Sequence, residues 1–393
     1  MAINLNNYYI KLTYSLLLIG LLVVVSGCAK RQYTLKYEVS PEIAEIWPKL
    51  PDTPRIRYVG TLVGEQNVYE VEESKKFGNK VADFFLWLVG ARSNYRANPV
   101  ILQRPQSGTV DNKGRIFVSD VSRHSIFVFD SKNGSLSEWK WAAGGVSFIS
   151  PVGIATGDND TIYVADSELG YVVHLDSKGE IIKSFGEESL NRPTGLARDP
   201  LNKRIYVVDT HDHNIKVYND AGDFLEIMGG RGIEAGQFNS PTHVWFSAGK
   251  LYVTDTMNAR VQILTPEGDV IGTFGKRGSN VGNFVRPKGI TTDSDGNIYV
   301  IESLHDFLLI YNTKGQLLLP IGGSGFGVGQ FYLPSGIWTD NKNRIYIADM
   351  FNGRVVVLQY LGDEKLGSSG LPGNASDSSN VAKGVAEVSP STN

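Results

Sequence analysis

Six copies of one strand-rich pattern predict an all-β chain folded as a six-bladed β-propeller. Turn prolines stand at Pro105, Pro151, Pro193, Pro241, Pro287 and Pro334, with neighbours 42–48 residues apart. Acidic residues at Asp120, Asp166, Asp209, Asp255, Glu302 and Asp349, each closing an apolar strand, keep the same period. Those strands read RIFVSD, TIYVAD, RIYVVD, KLYVTD, NIYVIE and RIYIAD. They are apolar at consecutive rather than alternate positions, which requires a sheet covered on both faces, as when sheets stack radially and each lies between two others.

The stretch 238–275 shows the unit most clearly. One strand follows the Pro241 turn, and others are expected at 250–254, 260–264 and 269–274, separated by Ala248-Gly249, the 255–259 loop and Pro266-Glu-Gly268. These are residue types that tolerate turn geometry. A single four-stranded meander cannot bury its own apolar surface, so repetition supplies the core.

Along the chain, residues 1–27 carry Lys11, an apolar run over 16–25 and the small pair Ser26-Gly27, the layout of an export signal. The run is short for a bilayer-spanning helix. Residues 28–54 are polar and punctuated by Pro41, Pro48, Pro51 and Pro54, and are expected to form a tether. Residues 55–64 read as a strand with no local partner. Its Gly60-Thr61-Leu62 matches Gly272-Thr273-Phe274 of the fourth repeat, whereas the sixth repeat ends after its third strand. The 55–64 segment is therefore expected to close the ring as the fourth strand of the last blade, removing an open sheet edge.

Residues 65–101 are expected to hold a helical insertion and linker. Phe77, Val81, Phe84, Phe85 and Leu88 fall on one helical face, with Trp87 nearly completing an apolar surround. Such a segment needs a cover: the body of the protein, a docking partner or the membrane interface. The propeller occupies 102–360, and the Gly/Ser/Asn/Ala-rich 361–393 is expected to be a disordered tail.

The formal net charge of -3 offers no basic excess for nucleic acid. A disulfide within the chain is excluded because Cys28 is its one cysteine. Val25-Ser26-Gly27-Cys28 resembles the lipobox of bacterial lipoproteins, in which the cysteine becomes the lipid-bearing first residue. That resemblance implies a protein lipid-anchored in the bacterial cell envelope through Cys28, facing the periplasm or the exterior.

The repeat itself, with Pro151-Val-Gly153-Ile154, Asp255-Thr-Met-Asn258-Ala-Arg260 and Gly282-Asn-Phe284 as clear instances, resembles the NHL repeat across 102–360. The whole chain is similar to bacterial NHL-repeat lipoproteins. Propellers of this kind host scaffolds, sensors, RNA binders and enzymes, so the resemblance implies a fold and leaves function to the sites. Related peptide-amidating lyases and calcium lactonases place metal ligands in the channel, and neither set maps residue by residue onto this sequence.

Carboxylates that recur in every blade are expected to serve the blade, accepting loop amides and pairing with Arg260 or Arg354. Positions that break the repeat are the informative ones. His243 stands where other blades carry Ser107, Gly153, Gly195, Gly289 and Gly336, and the fifth blade has Glu302 and His305. With His211 and His213 of the third blade, these are expected on one rim of the channel as a ligand or partner face, or as N and O donors for a divalent metal. Two functions follow as expectations: an envelope scaffold or sensor that binds another envelope protein or a small extracellular ligand, or a metal-dependent lyase or lactone hydrolase.

Overall fold

The computed structural model describes residues 32–71 and 99–362. Within them six antiparallel sheets follow the six repeats. The first blade is Pro105–Val110, Arg115–Asp120, Ser125–Asp130 and Ser135–Trp139, paired in chain order. The next four blades repeat this order, and their second strands are Ile162–Asp166, Arg204–Asp209, Lys250–Asp255 and Ile298–Glu302. The sixth combines Ile337–Thr339, Arg344–Asp349 and Arg354–Tyr360 with the N-terminal Ile56–Leu62. That last strand lies antiparallel to its partner, with Leu62 opposite Val355 and Ile56 opposite Tyr360. The ring is thus closed by the N-terminal strand, as the sequence predicts.

Why the second strands are continuously apolar is visible in where their side chains go. Ile116 and Val118 enter the cluster shared with the sixth blade, while Phe117 between them enters the cluster shared with the second. Ile205 and Val207 face the second blade, and Tyr206 and Val208 face the fourth. A strand's side chains alternate between faces, and here both faces are core. The buried clusters lie between neighbouring blades, and the one joining the sixth blade to the first includes Val59 and Leu62 of the closing strand.

Around the axis the first strands pack backbone to backbone. A Cβ on Gly195 would lie 2.7 Å from Cα of His243, and one on Gly289 would lie 2.6 Å from the Ile337 nitrogen. Glycine two residues after the turn proline is the condition for that approach.

Residues 32–54 depart from the expected tether. Tyr33–Leu35 pairs with Val68–Glu70, and Ile46–Trp47 adds a fifth strand beside Ile56–Leu62. Glu38 accepts from Arg344 at 2.7 Å, and Leu35 joins the cluster between the first and sixth blades. Leu35 and Trp47 give this proline-punctuated segment enough apolar surface to dock. Among the described residues no helix is long and apolar enough to cross a membrane. Cys28, the segment holding Phe77, Val81, Phe84, Phe85, Trp87 and Leu88, and the tail from residue 363 lie outside the described residues.

The closing strand carries a direct test. Leu62 is 0% exposed between the first and sixth blades. Leu62→Ala is expected to destabilise the ring by about 2–5 kcal/mol, read from the midpoint of urea unfolding. An unchanged midpoint would mean that the ring does not depend on this strand.

Candidate functional site

Each second strand ends in a carboxylate that the fold buries, from 0% exposure for Asp166 and Asp255 to 1% for Glu302. These groups grip the segment that enters the same blade. Asp166 accepts the backbone N–H of Ile149 at 2.8 Å and of Ser150 at 3.0 Å. Glu302 accepts those of Val285 and Arg286 at 2.8 and 3.0 Å, so its longer side chain does the work of the aspartates. The remaining capacity goes to the blade's own loop, as with Glu168 and Leu169 on Asp166, or to Arg260 and Arg354, whose Nε atoms lie 2.7 Å from Asp255 and Asp349. Burial pushes the carboxyls of Asp120 and Asp349 above the usual range, against hydrogen bonds that favour the ion.

Four residues beyond each carboxylate the backbone is left-handed, with φ of 52° at His124, 56° at His213 and 60° at Asp306. Side chains at this corner reach the next blade. His213 Nδ1 accepts the Ser240 N–H at 2.9 Å, and Asp306 accepts the Leu333 N–H at 2.6 Å. His213 is therefore committed to joining the third and fourth blades. His211 is exposed and His305 half-buried on the same loop face.

His243 stands apart. It lines a cavity of about 250 Å³ at the mouth of the central channel. The residue after each turn proline contributes to the wall: Gln106, Val152, Thr194, Thr242, Lys288 and Ser335. Hydroxyl groups knit this ring. Thr194 and Thr210 share a hydrogen bond of 2.7 Å, as Thr242 and Thr256 do at 2.8 Å, while Thr210 and Thr256 donate to the carbonyls of Pro241 and Pro287. The His243 ring is held through Nδ1 by Thr242 Oγ1 at 3.2 Å, and its Nε2 is buried without a hydrogen-bond partner. Burial and the neighbouring Lys288 amine push its pKa down to about 3, so the imidazole is neutral.

Sequence reasoning missed Lys288 and Arg192. Arg192, exposed on the third blade, and Lys288 of the fifth both line the mouth, and no carboxylate does. Burial, then Arg286, pushes the Lys288 amine below its ordinary value. The signal lies at the residue after the turn proline, where Lys288 is the one charged residue among Gln106, Val152, Thr194, Thr242 and Ser335.

Of the five residues expected on the rim, His243 alone lines the mouth. Both Glu302 oxygens and His213 Nδ1 are engaged by backbone N–H groups. Among the described residues no group of three or more His, Cys, Asp or Glu side chains could hold a metal ion. The donor set expected for a divalent cation is not assembled there, and the charges at the mouth are of the wrong sign for one.

Two histidines predict a pH dependence. His174 stacks on Tyr163 with centroids 4.1 Å apart and has both ring nitrogens buried without partners; burial lowers its pKa to about 4. Each of His174 and His243 takes a proton near pH 6.5 when unfolded and only near pH 4 or 3 when folded. The unfolded chain binds more protons in that window, so stability falls as pH drops below about 6.5, with each such group adding at most about 1.4 kcal/mol per pH unit. Urea midpoints at pH 7.5 and 5 should show a smaller loss for His174→Phe and for His243→Gln than for the wild type. Equal losses would mean that neither ring is held neutral.

A family described as 6-bladed beta-propeller matches residues 291–372. No curated protein matches the chain. Among solved structures, a structural-genomics protein of unknown function from Bacteroides thetaiotaomicron is 12% identical with a TM-score of 0.54, covering 84% of this chain and 91% of that one. An auxiliary nutrient binding protein from the same organism is 11% identical with a TM-score of 0.53, covering 66% of this chain and 70% of that one. A gluconolactonase from Xanthomonas campestris is 13% identical with a TM-score of 0.50, covering 66% of this chain and 87% of that one. Sheet order, closing strand and these likenesses agree that the chain is a six-bladed β-propeller.

Proposed function

We propose that the protein is an NHL-type, lipid-anchored binding module of the bacterial cell envelope, taking a small extracellular ligand at the mouth of its channel. The observation that carries the reading is the buried, unpartnered Nε2 of His243 beside that cavity. A buried polar atom left without a hydrogen bond costs about 1–3 kcal/mol, and a ligand that supplies the partner recovers it. The mouth is a concave wall on which polar groups from several blades converge, and such groups fix the orientation of a small ligand. An auxiliary nutrient binding protein is among the proteins of similar fold, which accords with the ring as a binding frame.

The test is a screen of small extracellular solutes by thermal unfolding. A ligand bound at a hundred times its Kd should stabilise the ring by about 2.7 kcal/mol, and His243→Phe should abolish the gain. If no stabilising solute is sensitive to this substitution, the mouth is not the site. Anchoring is tested separately: Cys28→Ser should move the protein from the membrane to the soluble fraction and end its labelling by palmitate. Retention in the membrane with undiminished label would overturn the anchor.

A further inference from the structure

We propose that the channel mouth takes the carboxylate of a small amphiphilic acid, whose apolar body lies across the loops of the fourth, fifth and sixth blades. The inference rests on the binding role proposed for the mouth and adds the class of ligand.

Charge supplies the first half. Lys288 and Arg192 line the cavity together with hydroxyl groups, and no acidic side chain shares the wall. The charged neighbours that act on Lys288 and His243 are cationic, Arg286 on the one and Lys288 on the other. Among the described residues the Lys288 amine makes no ion pair or hydrogen bond. Elsewhere the fold neutralises its buried cations: Lys216, 5% exposed, lies 2.8 Å from Asp209. A half-buried amine left unpaired in a cavity bearing a second cation is relieved by an anion entering that cavity.

The second half comes from the loops beside the mouth. Two residues after the strand-ending carboxylate, the first three blades carry Ser122, Glu168 and His211, while the others carry Met257, Leu304 and Phe351. The last three are 50%, 45% and 45% exposed. They are adjacent in sequence to Thr256, Ser303 and Met350; Thr256 bonds the Pro287 carbonyl at 2.8 Å, and the Met350 sulfur accepts from Gln106 of the mouth at 3.0 Å. The three thus stand one residue beyond the positions that in the first two blades, as Val121 and Ser167, line the cavity, on the loops of the fifth blade, which supplies Lys288, and of its two neighbours. Inorganic phosphate would satisfy the charge and leave these apolar side chains bare, and a neutral apolar solute would do the reverse. A carboxylate on a short hydrocarbon body answers both.

Calorimetric titration of the purified full-length chain with acetate, butyrate, hexanoate, hexanol, inorganic phosphate and glucose tests this. Hexanoate is expected to bind saturably, with affinity rising about three- to fourfold per methylene buried along the acid series and hexanol at least tenfold weaker. Lys288→Met and Lys288→Gln should each lose at least tenfold for hexanoate with no fall in the unfolding midpoint, while Lys288→Arg retains it. Leu304→Asp should flatten the chain-length series and leave acetate binding in place. Phosphate or hexanol binding as tightly as hexanoate, or a charge-removing Lys288 variant binding hexanoate normally, would overturn the proposal. Saturable glucose binding lost in His243→Phe, with no binding of the acids, would overturn it while leaving the mouth as a ligand site. Dependence of no solute on mouth substitutions would remove both.

Discussion

A carboxylate buried at the end of each second strand and gripping the amides of the incoming link is the interaction on which the mouth depends. Backbone N–H groups at a turn must find acceptors once water is excluded. Asp166 and Glu302 supply them, and in doing so fix where the turn proline and the residue after it stand. Six such grips place one side chain per blade on the channel wall. The blades can then differ at that one position without any change of frame, and a lone lysine among neutral residues becomes a local specialisation.

Much of the frame was legible because it follows from a repeated requirement. Two independent landmarks with one period implied stacked blades, and a missing strand at one end with a spare at the other implied closure, which the pairing of Leu62 with Val355 bears out. The site was legible only in part. His243 could be picked out as an interloper in a glycine column, since its neighbours must be glycine for the first strands to approach. Glu302 and His213 looked like donors because residue type alone does not say whether an oxygen or nitrogen is already occupied by an amide of the next loop. Lys288 was overlooked because a lysine beside a turn proline ordinarily points into water. The docked strands of 33–35 and 46–47 were hidden by their prolines, which suggest an extended linker until long-range partners are known.

The symmetric frame carries features that its symmetry does not repeat. The hydroxyl belt joins the third, fourth and fifth blades, the unpaired amine belongs to the fifth, and the exposed apolar loop residues sit on the fourth to sixth. None of these is required by stacking, which asks the same of every blade. They fall on the third to sixth blades, at positions where the architecture is least demanding.

Closure by the N-terminal strand also orders events in time. Ile56–Leu62 is made early, but its partner, Arg354–Tyr360, is completed about three hundred residues later. Bringing the two together across so long a chain costs about 5 kcal/mol of loop-closure entropy when the intervening residues are unstructured. Building the intervening blades first shortens the effective loop, so the last joint forms most readily on a nearly finished ring. Until then the edge at Arg354–Tyr360 is open to any other strand, and a crowded compartment would favour exchange of that strand between neighbouring copies.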